Sequence, residues 1–223
     1  MAAESAAKDL VAGEPRWPMA SAVVAAIVLT ILMPDDLRLG PNWLLPLVVG
    51  ALLVALIAGD PGRIDRRTAL LRTLSLGLIS VLVLSALWAT VLLTDHLING
   101  GNETDSAGAL LEAGSIVWGS NIIAFALLYW QLDGGGAAER AHRASSRSVD
   151  LAFPQHMNPE LAPAHWRPRF IDYLYLGFTN ATAFSPTDAM PLAPWAKITM
   201  AVQALISLVV LGLVIARAVN ILA

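Results

Sequence analysis

The chain has 223 residues and no Cys; 57% of its residues are hydrophobic and only 14% are charged. Soluble domains are about 45–50% apolar and about 25% charged, so this composition excludes an ordinary water-soluble domain. The mean hydropathy of +0.64 excludes intrinsic disorder, and the net charge of −3 disfavours nucleic-acid binding. The absence of Cys excludes disulfide frameworks and thiolate-ligated metals. The class that remains is a polytopic integral membrane protein.

Five segments are apolar over a length close to the roughly 20 residues that a helix needs to cross a bilayer. In chain order they are Met19 to Met33, Trp43 to Ala58, Leu74 to Thr94, Ala109 to Trp130 and Ile198 to Ala223. They are longer than the roughly 9–11 residues of a barrel strand, so we predict an all-α bundle of membrane helices. Trp residues near the ends of the segments are typical of an interfacial aromatic belt: Trp17, Trp43, Trp130, Trp166 and Trp195.

A sixth stretch, Phe170 to Ser185, is shorter and more polar. If it crosses the bilayer, the protein has six spans; if it is re-entrant from the cytoplasm, the protein has five. We favour the six-span form and keep the other open. The predicted regions are a cytoplasmic tail at 1–16, a four-helix transmembrane region at 17–130, a cytoplasmic loop at 131–169 and a helix pair at 170–223.

The Lys and Arg residues predict the orientation, because cytoplasmic loops collect basic residues. The tail, the loop at 59–73 and the loop at 131–169 together hold 11 of the 14 Lys and Arg residues. We therefore expect these regions, and the N-terminus, on the cytoplasmic side of a plasma (bacterial inner) membrane. Both the six-span and the five-span forms place 12 basic residues inside and two outside, so this rule does not separate them.

Residues 177–192 read Gly-Phe-Thr-Asn-Ala-Thr-Ala-Phe-Ser-Pro-Thr-Asp-Ala-Met-Pro-Leu and precede an apolar helix. The stretch resembles the pore helix, filter and inner helix of the bacterial potassium-channel (pore-loop) superfamily, whose module reads roughly F-T-T-x-T-T-V-G-Y-G-D-x-x-P-L. It is also similar, more weakly, to uncharacterised bacterial inner-membrane families. The coinciding positions are Phe178, Thr179, Thr182, Asp188, Pro191 and Leu192. The resemblance implies a homo-oligomer with a filter-like turn formed by Thr182, Ala183, Phe184, Ser185, Pro186, Thr187 and Asp188.

The glycines of the family's V-G-Y-G segment are missing, because the chain has Phe184-Ser185-Pro186-Thr187 at these positions. A potassium filter aims consecutive backbone carbonyls at the ion, in a conformation that glycines permit. Pro186 fixes its own φ near about −65° and restricts Ser185, and a β-branched Thr187 tolerates positive φ poorly. We therefore predict that this segment does not select potassium.

Polar residues recur at helical spacing in the last two segments. Asp172, Tyr175, Thr179 and Thr182 fall at i, i+3, i+7 and i+10, which is one face of a helix. In the last segment Gln203 and Ser207 are four residues apart. Together with Asn180, these side chains either line a solute path or hold neighbouring helices together by hydrogen bonds. Both interpretations stay open.

We expect a channel-related membrane protein that forms a path for ions or small solutes in a homo-oligomer. The alternative is a non-conducting structural or accessory membrane protein, which the loss of the filter glycines favours. The sequence has no phosphate loop, no G-x-S-x-G elbow and no S-x-x-K motif, so we predict neither an enzyme nor a cofactor. The four His residues lack the spacing of a metal site and are expected to be solvated in loops.

Three basic residues in the long loop, Arg140, Arg143 and Arg147, fall at i, i+3 and i+7. Such a stripe is suited to anionic lipid headgroups at the membrane surface. A solvated cytoplasmic loop explains the same residues more simply, and we prefer that interpretation.

Overall fold

The apolar segments of the sequence form helices that pack side by side. The computed structural model describes residues 13–101, 106–142, 149–163, 166–185 and 188–222, and these are mostly helical. Within these ranges the helices are α1 (Trp17–Leu32), α2 (Leu44–Gly59), α3 (Ala69–Asn99), α4 (Ala107–Leu132), α5 (Ala137–His142), α6 (Pro154–Met157), α7 (Phe170–Ala183) and α8 (Pro194–Leu222). The short strands are β1 (Glu14–Pro15), β2 (Arg63–Ile64), β3 (Leu151–Ala152) and β4 (Met190–Pro191).

Local signals explain where the helices begin and end. Helix α3 begins at Thr68, whose hydroxyl accepts a hydrogen bond from the Leu71 N–H group at 3.3 Å. Helix α4 begins in the same way at Ser106. After α4 the chain turns at three consecutive glycines, Gly134 to Gly136, which all have positive φ. A side chain at these positions would strain the backbone, so the glycines let the chain leave α4 sharply.

Helix α4 is the central helix of the bundle. It packs against α1, α3, α7 and α8, and from Ala124 to Gln131 all but one of its residues are buried. These four helices therefore share one central packing partner, and close van der Waals contact between side chains is the interaction that holds helices together inside a membrane.

The two ends of the bundle differ in their number of Lys and Arg residues. One end contains the starts of α1, α3, α7 and α8, the ends of α2 and α4, and the two short strand pairs. We call it the basic end, because it holds the basic residues Arg16, Arg63, Arg66, Arg67, Arg72, Arg140, Arg167, Arg169 and Lys197. The opposite, far end is closed by an apolar cluster that includes Met33, Leu97, Leu110 and Val214.

Helices α7 and α8 run in the same direction, and both are antiparallel to α4. Phe170, at the start of α7, packs on Trp130 near the end of α4, and Phe178 packs on Trp118 further back in α4. Helix α8 runs in the same direction as α7. Its Gln203 bonds to Tyr129 near the end of α4, and its Val214, further along, packs on Gly114 near the start of α4.

The chain returns to the basic end between these two helices. Strand β4 pairs with β3, and the Leu192 N–H group donates to the Asp150 carbonyl oxygen at 2.9 Å. Strand β3 is held at the end of α4, where the Leu151 N–H group donates to the Asp133 carboxylate at 3.2 Å. Helix α7 therefore begins at the basic end, and the chain returns to that end before α8 begins.

The structure bears out the general prediction of a helical protein with apolar helices that could cross a membrane. Three helices are long and apolar enough to cross a membrane: Ala69–Asn99, Ala107–His142 and Pro194–Ile221, where the second range joins α4 to α5. Six spans are not confirmed. Helices α1 and α2 have 16 residues each, about 24 Å at 1.5 Å per residue, which is just below the roughly 17–25 residues of crossing helices and does not separate five spans from six. Consecutive crossing helices must also run in opposite directions, whereas α7 and α8 run in the same one.

The predicted aromatic belt does not include Trp130, while for Trp17 and Trp43 it stays a prediction. Trp17 and Trp43 are 71% and 60% exposed, as interfacial side chains are in a single protein chain. Trp130 is only 2% exposed, because it packs between α4 and α7 and donates its indole N–H group to Glu14. A Trp near a helix end faces lipid only where no neighbouring element covers it.

Candidate functional site

The predicted filter-like turn begins inside α7. Thr182 and Ala183 are the last two residues of that helix. Phe184 follows in the left-handed region with φ 56°. Among the described residues, Phe184 is the only one other than Gly with positive φ, and this conformation costs an L-residue about 1–2 kcal/mol. Pro186 and Thr187 lie outside the described residues.

The predicted polar face of α7 points out of the bundle. Tyr175 is 56% exposed and Thr182 is exposed as well. The hydroxyl groups of Thr179 and Thr182 donate to carbonyl oxygens three and four residues earlier in their own helix. These two Thr side chains therefore need no partner from another helix.

A surface groove of about 180 Å³ follows this face. It is lined by Asp172, Tyr175, Thr179 and Asp188, with Phe153 to Gln155 on the other side. The Asp188 carboxylate lies within hydrogen-bonding reach of the Tyr175 hydroxyl. Asp172 caps its own helix by accepting from the Arg169 N–H group at 2.7 Å. The groove contains three of the four side chains that the sequence analysis placed on one face, and Thr182 does not line it.

Asn180 and Gln203 lie instead in the interior, and neither has any exposed surface. The Asn180 amide donates to Gln203 Oε1 at 2.8 Å and to the Met200 carbonyl oxygen at 2.9 Å. Gln203 Oε1 also accepts from the Tyr129 hydroxyl at 2.7 Å, and Gln203 Nε2 donates to the Gly177 carbonyl oxygen at 2.9 Å. These bonds join α4, α7 and α8 at one point.

This interior network has the properties of an interhelical tie. Its donors reach protein acceptors, and the neighbouring Ser207 is 1% exposed with no hydrogen-bond partner for its hydroxyl group among the described residues. Gly177 permits the close approach of α7, because a Cβ there would come within 3.2 Å of the Ile122 carbonyl oxygen. Within one chain, Gln203 and Ser207 are therefore buried among protein atoms and do not face solvent.

A second polar cluster lies at the basic end, and sequence reasoning did not find it. Arg140 donates to the carbonyl oxygens of Trp130 and Asp133 at 2.7 and 2.6 Å, and its guanidinium carbon lies 4.9 Å from the centre of the Tyr173 ring. The Tyr173 hydroxyl donates to the Asp133 carboxylate at 2.5 Å. Glu14 completes the cluster with an ion pair to Arg140 at 3.5 Å.

Glu14 connects the start of the described chain to two helices. Its carboxylate accepts from the Trp130 indole at 2.5 Å and from the Phe170 N–H group at 2.8 Å. Burial raises the pKa of Glu14, although Arg140 and the two hydrogen bonds act in the opposite direction. Only the fold could reveal this site, because Glu14 is separated from Trp130 and Phe170 by 116 and 156 residues in the sequence.

Two expectations about the loop at 131–169 are corrected by these contacts. Arg140 is only 8% exposed and is bonded inside the protein, so it does not face lipid headgroups; Arg143 and Arg147 lie outside the described residues. His156 is only partly solvated, because its ring packs 5.1 Å from Trp166 and its Nδ1 accepts from the Phe153 N–H group. Burial lowers the pKa of His156.

The structure describes two of the other three His residues. Within the described residues, no group of three or more His, Cys, Asp or Glu side chains is placed to hold a metal ion. His96 and His142 lie at the ends of α3 and α5, and His165 lies outside the described residues.

The helices and their apolar surfaces define a helical protein with three helices suited to crossing a membrane. No protein-family model, no curated protein and no solved structure matches the chain. The resemblance of residues 177–192 to the potassium-channel pore module therefore stays a prediction from the sequence.

Proposed function

We propose that the chain is an integral protein of the plasma (bacterial inner) membrane with five spans, α1, α2, α3, α4 and α8. In this arrangement α7 is a re-entrant helix, and the basic end faces the cytoplasm. The shared direction of α7 and α8 supports it. So does the charge distribution, because Lys197 joins the other basic residues at the basic end while Arg38 and Arg217 lie towards the far end.

We propose further that this protein is channel-related and forms a non-potassium-selective path for ions or small solutes between the copies of a homo-oligomer. The observation that carries the proposal is the course of the chain from 170 to 222. A short helix enters from one end, the chain returns to that end, and a long apolar helix follows. This is the order of elements in the pore module that residues 177–192 resemble.

The path lies between chains in this proposal because the interior of one chain is closed. Asn180 and Gln203 bond to protein atoms, whereas Tyr175 and Thr182 point outwards from α7. Copies of the chain arranged about an axis near this face bring these polar groups together. The loss of the filter glycines at Ser185 and Thr187 argues against dehydration of potassium on such an axis.

Recording of currents from the purified, reconstituted protein tests this function. The chain has no native Cys, so Thr182→Cys supplies a single thiol for modification by a charged methanethiosulfonate reagent. We expect wild-type currents without preference for potassium over sodium, and a reduced current when the thiol at position 182 is modified. Leu47→Cys is the control, because Leu47 is 61% exposed on α2, away from the proposed path.

A non-conducting structural or accessory role is the second candidate, and the closed network at Gln203 favours it. If folded protein remains silent across ions and voltages while the thiol at position 182 reacts, this second function replaces the first. Equal loss of current on modification at positions 182 and 47 also contradicts a path along α7.

A further inference from the structure

A cavity of about 260 Å³ opens at the basic end between the loop after α2, the start of α3 and the turn after α4. Four arginines line it, namely Arg16, Arg66, Arg67 and Arg72, against two acids, Asp60 and Glu139. Its lining thus carries an excess of positive charge.

The charge of Asp60 is used within the protein. Its carboxylate is buried and accepts from Arg16 at 3.0 Å and from the Asp65 and Arg66 N–H groups at 3.2 and 3.4 Å. This buried pair fixes the loop that carries Arg66 and Arg67. The carboxylate acts as an anchor for the loop and leaves the cavity itself positive.

The remaining arginines are available to a ligand. Arg66 and Arg67 have side chains that are 60% and 41% exposed, and their ion contacts to Asp60 and Glu139 are long, at 3.8 and 3.6 Å. Each also donates to one backbone carbonyl oxygen, that of Gly59 at 2.8 Å and that of Glu139 at 3.4 Å. A guanidinium group has five N–H donors, so these bonds leave donors for a ligand. Arg72 is exposed and has no ion pair in the part of the chain that the structure describes. Guanidinium groups are suited to phosphate oxygens, because their N–H donors match two oxygens at once.

The other wall of the cavity is apolar. Leu56 and Leu71 line it, and the neighbouring Leu70 is 69% exposed on α3. The cavity thus lies where apolar helix surfaces meet a basic loop, which is the level of lipid headgroups in the arrangement proposed above. Basic pockets between helices on the cytoplasmic side are suited to such headgroups.

We infer that this cavity binds the phosphate group of an anionic ligand, with Arg66, Arg67 and Arg72 as its contacts and an anionic phospholipid as the source. The inference rests on the membrane location proposed above and is independent of conduction. A free phosphate offers the same chemistry to the arginines, and the experiment separates the two sources.

Binding to the full-length protein is measured by native mass spectrometry during titration with phosphatidylglycerol or phosphatidylcholine. Arg72→Gln removes a charge without removing an ion pair that the structure describes. We expect it to weaken phosphatidylglycerol binding about fivefold, the equivalent of about 1 kcal/mol. Lys197→Gln is the matched control, because Lys197 is exposed at the same end and does not line the cavity.

An equal effect of Arg72→Gln and Lys197→Gln overturns the inference, as does equal binding of phosphatidylglycerol and phosphatidylcholine. Inorganic phosphate is then added as a competitor to the wild-type protein bound to phosphatidylglycerol. Failure to compete supports the lipid as the source, and competition that is lost in Arg72→Gln supports the same site with a soluble phosphate. Silence in current recordings leaves these results unaffected.

Discussion

Asn180 and Gln203 meet in the interior of the bundle, where the amide of Asn180 donates a 2.8 Å hydrogen bond to the side-chain oxygen of Gln203. The same oxygen accepts from the Tyr129 hydroxyl, so one acceptor serves two helices besides its own. This arrangement attaches α7 to the long helices α4 and α8. In this helix of 14 residues, the Asn180 bonds hold the second half, while Phe170 and Tyr173 bond to Glu14 and Asp133 near its start.

The network predicts that Gln203→Leu destabilises the protein. The substitution leaves the Asn180 amide and the Tyr129 hydroxyl without their shared acceptor, and a buried group left unsatisfied costs about 1–3 kcal/mol. The free energy of unfolding in detergent measures the loss. Thr199→Ala is the control, because the Thr199 hydroxyl donates only to Trp195 and Ala196 in its own helix, and we expect a change within about 0.5 kcal/mol.

The same network predicts coupling between its members. In a double-mutant cycle of Asn180→Ala and Gln203→Ala, we expect an interaction energy of about 0.6–1.7 kcal/mol, the range of interhelical hydrogen bonds in membranes. Simple additivity of the two substitutions would show that the hydrogen bond contributes nothing to stability.

Stability should depend on pH through Glu14. Burial raises the pKa of this carboxyl group above its ordinary value of 4.5, so the folded protein holds the proton more tightly than the unfolded chain. The stabilisation is complete below the ordinary pKa and is lost as the pH rises through the folded-state pKa. Unfolding free energies at a series of pH values should show this decline in the wild type but not in Glu14→Gln.

Glu160→Gln is the control for this pH dependence, because Glu160 is exposed in the loop before α7. It should keep the wild-type decline. If the stability of the wild type relative to Glu14→Gln instead increases over the same pH range, the ion pair with Arg140 outweighs burial, and the predicted direction is wrong.

The five-span arrangement predicts the sides of the membrane on which two introduced thiols are found. Asp188→Cys should react with an impermeant reagent from the cytoplasmic side, and Asn220→Cys from the outer side. Labelling of intact cells and of inverted vesicles measures both, and Leu161→Cys, at a position that is 81% exposed, serves as the cytoplasmic reference. Reversed labelling of the two thiols would support six spans and contradict the re-entrant helix.

Apolar segments and breaking residues were sufficient to predict most helices and several of their ends. The predicted segment at 43–58 corresponds closely to α2, because Pro, Gly and charged residues flank this apolar stretch. Helical spacing alone also placed Tyr175 and Thr182 on one face of α7, although only the structure showed that this face points outwards. Both features depend on residues that are close in the sequence.

The direction of α7 and the sites at the basic end were decided only by tertiary structure. An apolar stretch of intermediate length has the same composition whether the chain continues or doubles back after it, and the pairing of β4 with β3 returns the chain to the basic end. Glu14, Arg140 and Asp133 likewise gain their partners when distant segments meet. By itself the sequence determined an apolar helical protein with one basic end, because length and hydrophobicity are local properties of a segment. Packing decided which polar groups became buried hydrogen-bonding partners and which stayed exposed, because that depends on the neighbours of each helix.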